Sequence, residues 1–403
     1  MTALASTRRR RTAVMLAINL TAIVALGGMG YAGYRALRRY EGGKNVSIPV
    51  LPVPRTQVGM LATVDGDDEL TTVTVFVLSP PAQGEVGGSI VSVPVSSDTA
   101  FGFDGMRIPL TEVYSEGGAD SLVLGVESLL SITLDHWQVA DPAAAAALLA
   151  PLEPVTVDLP AAVTTDDSGA EVTLFEAGEV SLSAEEVVSV LNASPEGTPE
   201  RSRRANVEAV WGGVAEAIGA GVTEVPTEPS ITSLGDLADR LFASSVASRG
   251  LATTILEAAD NPDGKDVEAL DRADVVWVFG SIAPSATTAP TTGLTYRIEA
   301  PPGYDERVKW AITLVLYFGH NVQSVLVSEV IPTRTATEIE LYDASFEEDV
   351  AESDQLFGEV QFVEPESRVA GVDVVLRLGS DFLDGTVDSG ETLPSTTTST
   401  TQA

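Results

Sequence analysis

The sequence predicts an α/β protein in two folded parts behind a single N-terminal transmembrane helix. Three observations predict it. Runs of β-branched residues alternate with segments of helical apolar spacing along most of the 403 residues. An uncharged apolar run occupies residues 12–34. An uncharged stretch rich in Pro and Thr, APSATTAPTTG at 283–293, divides the rest of the chain.

The first element is that apolar run. It has 23 residues without charge, and Asn19 is its one strongly polar side chain. A helix needs roughly 20 such residues to cross the hydrocarbon core. A signal peptide would have an apolar core of about 7–15 residues and then a small-residue cleavage site. Here Arg35, Arg38 and Arg39 come directly after it, so the run reads as an uncleaved anchor. Arg8 to Arg11 argue for an N-terminus inside, but the basic cluster after the helix balances them, and charge alone leaves orientation open. Residues 1–11 form a short tail. Residues 35–58, with Gly42, Gly43 and PVLPVP at 49–54, read as an extended stalk.

The first folded part spans 59–285. LTTVTVFVL at 70–78, SIVSVPV at 89–95 and VTVDL at 155–159 are strand-like. Residues 121–130 have helical spacing. Residues 137–140 form a short segment before Asp141-Pro142, a helix start with Asp as cap and Pro in the first position. Ser183 with Glu186 forms a capping box. Helices are expected over 199–220 and 234–257, and a closing strand over 275–279. Residues 286–293 are the linker. The second part, 294–383, reads as strand 295–300, helix 305–318, and strands at 322–330, 337–341 and 372–378. A Thr-rich tail occupies 384–403.

Composition removes several chemistries. The chain has no cysteine, which excludes disulfides, thiolate metal sites and Cys nucleophiles. His136 and His320 stand alone in unrelated segments and read as structural rather than as zinc ligands or triad members. The formal net charge is −35, and beyond residue 44 there are 15 basic residues against 57 acidic ones. Such a body repels phosphate backbones, so nucleic acid is not an expected partner.

The order of these segments is similar to that of the LytR-CpsA-Psr family of bacterial envelope proteins followed by a LytR C-terminal domain. LTTVTVFVLSP with SIVSVPVSSDT resembles the family's opening strand pair, and Val155-Thr-Val-Asp-Leu-Pro160 resembles its V-x-V-x-V-P strand. Glu179 to Val188 stands where the family has L-x-G-x-Q-A-L, and Glu200-Arg-Ser-Arg-Arg204 resembles its R-x-x-R-Q helix start. Gly371 to Phe382 resembles the V-x-V-x-L-G-x-D-F ending of the C-terminal domain. The resemblance implies an α/β sandwich with a central mixed sheet, then a small α/β domain. It also implies an N-inside single-pass anchor and an extracytoplasmic body. It implies binding of polyprenyl-pyrophosphate glycans and their transfer to peptidoglycan.

Transferring a phosphosugar requires positive charge around the phosphates, from Arg or a divalent cation such as Mg2+. Arg201 and Arg204, three apart near a helix start, are the catalytic candidates together with Asp98. Arg107, Arg203 and Thr99 are candidate substrate-binding residues, and Asp98 and Asp166 candidate metal ligands. The alternative for the arginines is a solvated face paired with Glu200 and Glu208, and for Asp98-Thr99 a turn or cap. The departures from the family are in the site. The arginine of its Ile-Pro-Arg-Asp-Thr motif is absent from Val93 to Thr99, both arginines of its Y-V-R-x-R helix are absent from Val190 to Ser194, and Ala205 replaces the glutamine. Its Lys-Ile-Asn-Ala-Ala becomes Arg107-Ile-Pro-Leu-Thr111. Removing one charge-stabilising donor commonly costs about a hundred-fold in rate. The sequence therefore leaves two functions open: an active or weakened glycopolymer transferase, and a non-catalytic envelope protein that binds lipid, glycan or a protein partner.

Overall fold

The computed structural model describes residues 49–385, apart from 101–105, 168–169, 196, 227–229, 289, 291, 348–349, 351–353 and 366. The segments expected as N-terminal tail and anchor, most of the expected stalk, and residues 386–403 of the Thr-rich tail lie outside the described residues. Among the described residues, no helix is long and apolar enough to cross a membrane.

The chain opens with β1 (Val50–Leu51), then β2 (Val58–Val64), β3 (Leu70–Leu78) and β4 (Gly88–Val93). Helix α1 (Leu110–Leu130) is followed by β5 (His136–Ala140) and α2 (Pro142–Leu149). Strand β6 (Val155–Leu159) leads to the hairpin β7 (Val163–Asp167) and β8 (Ala170–Phe175), and then to β9 (Gly178–Leu182). Three helices come next: α3 (Ala184–Asn192), α4 (Arg201–Ile218) and α5 (Leu234–Leu241). Strand β10 (Val246–Gly250) precedes the short pair β11 (Thr253–Ile255) and β12 (Glu268–Leu270), and α6 (Arg272–Ile282) ends the first part.

The central sheet has the order β10-β4-β3-β2-β5. It is mixed: β2, β3 and β4 run antiparallel, while β10 and β5 add in parallel at the edges. Both faces are covered. Phe76 and Ile90 pack with Leu191, Trp211 and Leu237 on one side. Val75 and Val91 pack with Leu122, Val126 and Phe279 on the other. A strand buried on two faces must be apolar at nearly every position, which is why LTTVTVFVL does not alternate. Helix α3 begins with the expected capping box: Ser183 Oγ accepts from the Glu186 N–H, and Glu186 Oε2 accepts from the Ser183 N–H. Asp141 caps α2 with its side chain, which accepts from the Ala144 N–H at 2.7 Å.

The second part contains β13 (Thr295–Ala300), α7 (Asp305–Tyr317), β14 (Asn321–Val327), β15 (Thr337–Leu341), α8 (Asp354–Phe357), β16 (Val360–Val363), β17 (Arg368–Val369), β18 (Val374–Arg377) and α9 (Ser380–Leu383). Its sheet has the order β14-β13-β18-β15-β16.

Two sequence expectations are corrected. Residues 275–279 form part of helix α6 rather than a closing strand. An apolar run of this length has no period that separates helix from strand. Here α6 is apolar on two sides because it serves two cores. Val275, Val278 and Phe279 belong to the first part's core, and Ala273, Val276 and Trp277 pack into the second. Trp277 lies between Arg249 and Lys309, 5.4 and 5.0 Å from its ring centroid. The helix expected over 234–257 ends at Leu241, where β10 and β11 take over.

Residues 283–288 hold to the first part: the Thr133 N–H donates to the Ala286 carbonyl and the Thr288 N–H to the Ser131 carbonyl. Of the stalk's described residues, Val50 and Leu51 pair in parallel with Arg368 and Val369, and Val58 already belongs to β2.

Helix α4 packs so closely on β6 that a Cβ added at Gly213 would meet the Thr156 carbonyl oxygen at 2.5 Å, whereas at Gly212 it would meet nothing within 4 Å. Gly213→Ala is expected to lower stability by about 1–3 kcal/mol. Gly212→Ala should be neutral or raise it by up to about 1 kcal/mol. Urea unfolding of the two variants checks this pair.

Candidate functional site

A cavity of about 1250 Å³ opens beside the central sheet. Its apolar wall comes from Leu70 on β3, Ala143, Ala146 and Ala147 on α2, and Val188 on α3. Leu174 on β8 also faces it and is 41% exposed. Its polar lining is acidic. Asp65, Asp67 and Glu69 come from the β2–β3 turn, Glu153 precedes β6, and Asp166 lies on β7. Glu185 is in the first turn of α3, Glu200 is the N-cap of α4, and Asp266 precedes β12. Among the described residues lining the cavity, Arg203 is the one basic side chain.

Arg203 is already engaged. Its guanidinium donates to the carbonyls of Leu191 at 2.7 Å and Ala193 at 3.1 Å, and also to that of Thr71. Leu191 and Ala193 close the C-terminal turn of α3, where carbonyls lack helical partners and the helix dipole is negative. Arg203 therefore clamps α3 to β3. Burial pulls its guanidinium down from the usual value, and Glu200 partly opposes that shift.

The next arginine is held by carboxylates. Arg204 donates to Glu200 Oε2 at 2.5 Å, Glu268 Oε2 at 2.8 Å and Thr253 Oγ1 at 2.7 Å. Glu268 is 2% exposed, and Thr253 Oγ1 also donates to it at 2.7 Å. Burial opposes the charged form of Arg204, but the two glutamates outweigh it and push the guanidinium up. Glu208, one turn further along α4, has its carboxyl raised by burial, Arg204 working against the shift and Glu200 with it.

Arg201 and Arg204 share one helix face, as their spacing predicts. Arg201 NH1 lies 3.9 Å from Glu268 Oε1 and 3.9 Å from Asp266 Oδ1, and its side chain is 46% exposed.

The structure brings Asp98 to Arg107 rather than to Asp166. Asp98 Oδ2 accepts from Arg107 at 2.8 Å, and Oδ1 accepts from the N–H groups of Ala100 and Ile108. Thr99 donates from both its N–H and its hydroxyl to the Ile108 carbonyl. These contacts close the loop before α1. Asp166 lines the cavity from β7. Among the described residues no group of three His, Asp or Glu side chains is placed to hold a metal. The oxygens of Asp98 accept three hydrogen bonds, all from its own loop and Arg107.

Three residues of this site carry no sequence signal. Thr253, Asp266 and Glu268 belong to the β11–β12 segment, in a stretch with neither a motif nor a period. Glu200 was readable from the sequence as an ion-pair partner of the arginines, and it pairs with Arg204.

Burial alone would raise the Glu268 carboxyl, but hydrogen bonds from Thr253 and Arg204 outweigh it and hold it below the usual range. A carboxyl with a depressed folded-state pKa contributes stability that is present above the unfolded value, about 4.3, and is lost as pH falls through the folded value. Thermal melts between pH 7 and pH 3 should show an acid-side loss of stability that is smaller in Glu268→Gln, because that variant lacks this titration.

No family model matches the chain, and no curated protein matches it. Solved structures similar to it include B. subtilis TagV, at 15% identity and a TM-score of 0.44 over 59% of this chain and 100% of that one. B. subtilis TagT is 17% identical with a TM-score of 0.38, over 56% of this chain and 88% of that one. A LytR-Csp2A-Psr enzyme from Actinomyces oris is 16% identical with a TM-score of 0.36, over 55% of this chain and 91% of that one. These likenesses are of structure, at 15–17% identity and over 55–59% of this chain.

Proposed function

We propose that this chain is a LytR-CpsA-Psr-like protein of the cell envelope, anchored by residues 12–34 with its body outside the membrane. It binds the apolar chain of a polyprenyl-linked glycan in the cavity beside the central sheet and does not transfer the glycan to peptidoglycan. One observation carries the second half of this reading. The single arginine among the described cavity-lining residues is committed to three backbone carbonyls. Phosphoryl transfer depends on donors aimed at charge that develops in the transition state. A guanidinium tied to a helix end is not such a donor. The neighbouring Arg204 is neutralised by two glutamates.

The apolar wall supports the first half. Ala143, Ala146 and Ala147 present small side chains from one helix, leaving a slot against Leu70 and Val188. At about 1250 Å³, the cavity lies above the roughly 300–1,000 Å³ of ordinary small-molecule sites and has room for a chain-like ligand.

Native mass spectrometry of the detergent-purified full-length protein, followed by lipid extraction, tests this. A bound polyprenyl lipid is expected, and it should be lost in Ala146→Trp, which fills the slot. Transfer of lipid-linked glycan to peptidoglycan should not rise above the uncatalysed background. If the protein carries no lipid even after polyprenyl phosphate is added, the cavity is not a lipid site, and the reading passes to a scaffold that acts through protein partners. Measurable transfer would overturn the non-catalytic half alone.

A further inference from the structure

Apart from the helix-capping Arg203, the three arginines named from the sequence all end on one short segment, residues 253–268. Arg107 Nε donates to the Asp260 carbonyl at 2.6 Å. Arg201 faces Asp266 and Glu268. Arg204 is bound by Thr253 and Glu268. The segment is tied down at other points too. Lys265 Nζ donates to Glu112 at 2.6 Å and to the Arg107 carbonyl at 2.8 Å, and the Glu268 backbone bridges to Ser97. Glu200 completes the enclosure from the helix side, with its own N–H donating to Asp266 Oδ2 at 2.7 Å.

We infer that the β11–β12 hairpin is a built-in occupant of the anion seat at the start of α4, and that Glu268, with Glu200, is the determinant that bars a phosphate-bearing head from Arg201 and Arg204.

Carboxylate and phosphate oxygens satisfy a guanidinium fork by the same charge-assisted geometry, so one displaces the other only at the cost of the first set of bonds. Here two guanidiniums face three carboxylates, those of Glu200, Asp266 and Glu268. The seat is therefore negative before any ligand arrives. Glu268 is fixed by Thr253 and by its own strand, and it is buried, so it cannot swing into solvent as a surface glutamate could. A pyrophosphate would have to compete with a partner that never leaves. The inference rests on the cavity reading only in taking this helix start, whose Glu200 lines the cavity, as the anion seat beside it. It makes the selectivity of that site explicit: the ligand is held by its chain, and its phosphate lies away from Arg201 and Arg204.

Thermal unfolding of the full-length protein in detergent, with sodium pyrophosphate added against sodium chloride at equal ionic strength, tests the inference. The wild-type midpoint should move by less than about 1 °C. Glu268→Gln should start lower, because Arg204 then lacks a buried partner. It should regain roughly 2–4 °C at a pyrophosphate concentration about ten times its Kd. Adding Arg204→Met to that variant should abolish the gain. If Glu268→Gln does not fold, Glu200→Gln, at the edge of the enclosure, carries the same test. Pyrophosphate stabilising the wild type as strongly as the variants would overturn the inference, and so would no gain in either variant. Either outcome with polyprenyl lipid still bound sinks the hairpin's role and leaves the cavity reading standing. Lipid absent while the variants gain a pyrophosphate response would do the reverse.

Discussion

A guanidinium withdrawn from water has to find compensating charge or dipoles, and in this protein that requirement organises the region around the start of α4. Arg204 finds its compensation in Glu268 and Glu200. Replacing one partner of such a buried pair typically costs about 3–5 kcal/mol, because the other charge is left without compensation. The pair therefore ties the β11–β12 segment to α4 and fixes the floor on which Ser96, Asp98 and Arg107 are arranged. Arg203 meets the same requirement differently, through the unpaired carbonyls at the end of α3. Two arginines separated by no residue thus do two unrelated structural jobs.

The sheet and its covering helices depend on apolar burial on two faces, and that burial is insensitive to what stands at the rim. Asn192, at the end of α3, accepts from the Thr71 hydroxyl at 2.7 Å and donates to the Val64 carbonyl at 3.1 Å, so it secures the β2–β3 edge from a place on the cavity wall.

Much of this was legible in the sequence, for identifiable reasons. The capping box at Ser183, the cap at Asp141 and the doubly apolar β3 are local patterns, and each formed where its residues placed it. The shared face of Arg201 and Arg204 came from a spacing of three on a helix. The character of α6 was not legible, since a helix that serves two cores loses the polar face by which helices are recognised. Nor was Glu268. Its meaning depends on a hairpin folding back across 64 residues of chain to reach Arg204, and no local window contains that information. For the same reason the pairing of Asp98 with Arg107 and two backbone N–H groups was not legible.

The pairing of β1 with β17 has a mechanical side. The chain enters the described fold at Val50 and is at once bonded in parallel to Arg368 and Val369 of the second part, with the Ala370 N–H donating to the Leu51 carbonyl. Tension arriving along the backbone at Pro49 is therefore borne first by the second domain's short ladder and only afterwards by β2 and the central sheet. Val53, packed beside Val369, Val372 and Tyr342, extends that grip by one more side chain. The short ladder therefore fastens the entering chain to the second part before it reaches the central sheet. Were the chain held from its N-terminal side, a pull would meet these two paired positions, far along the sequence, before it met β2.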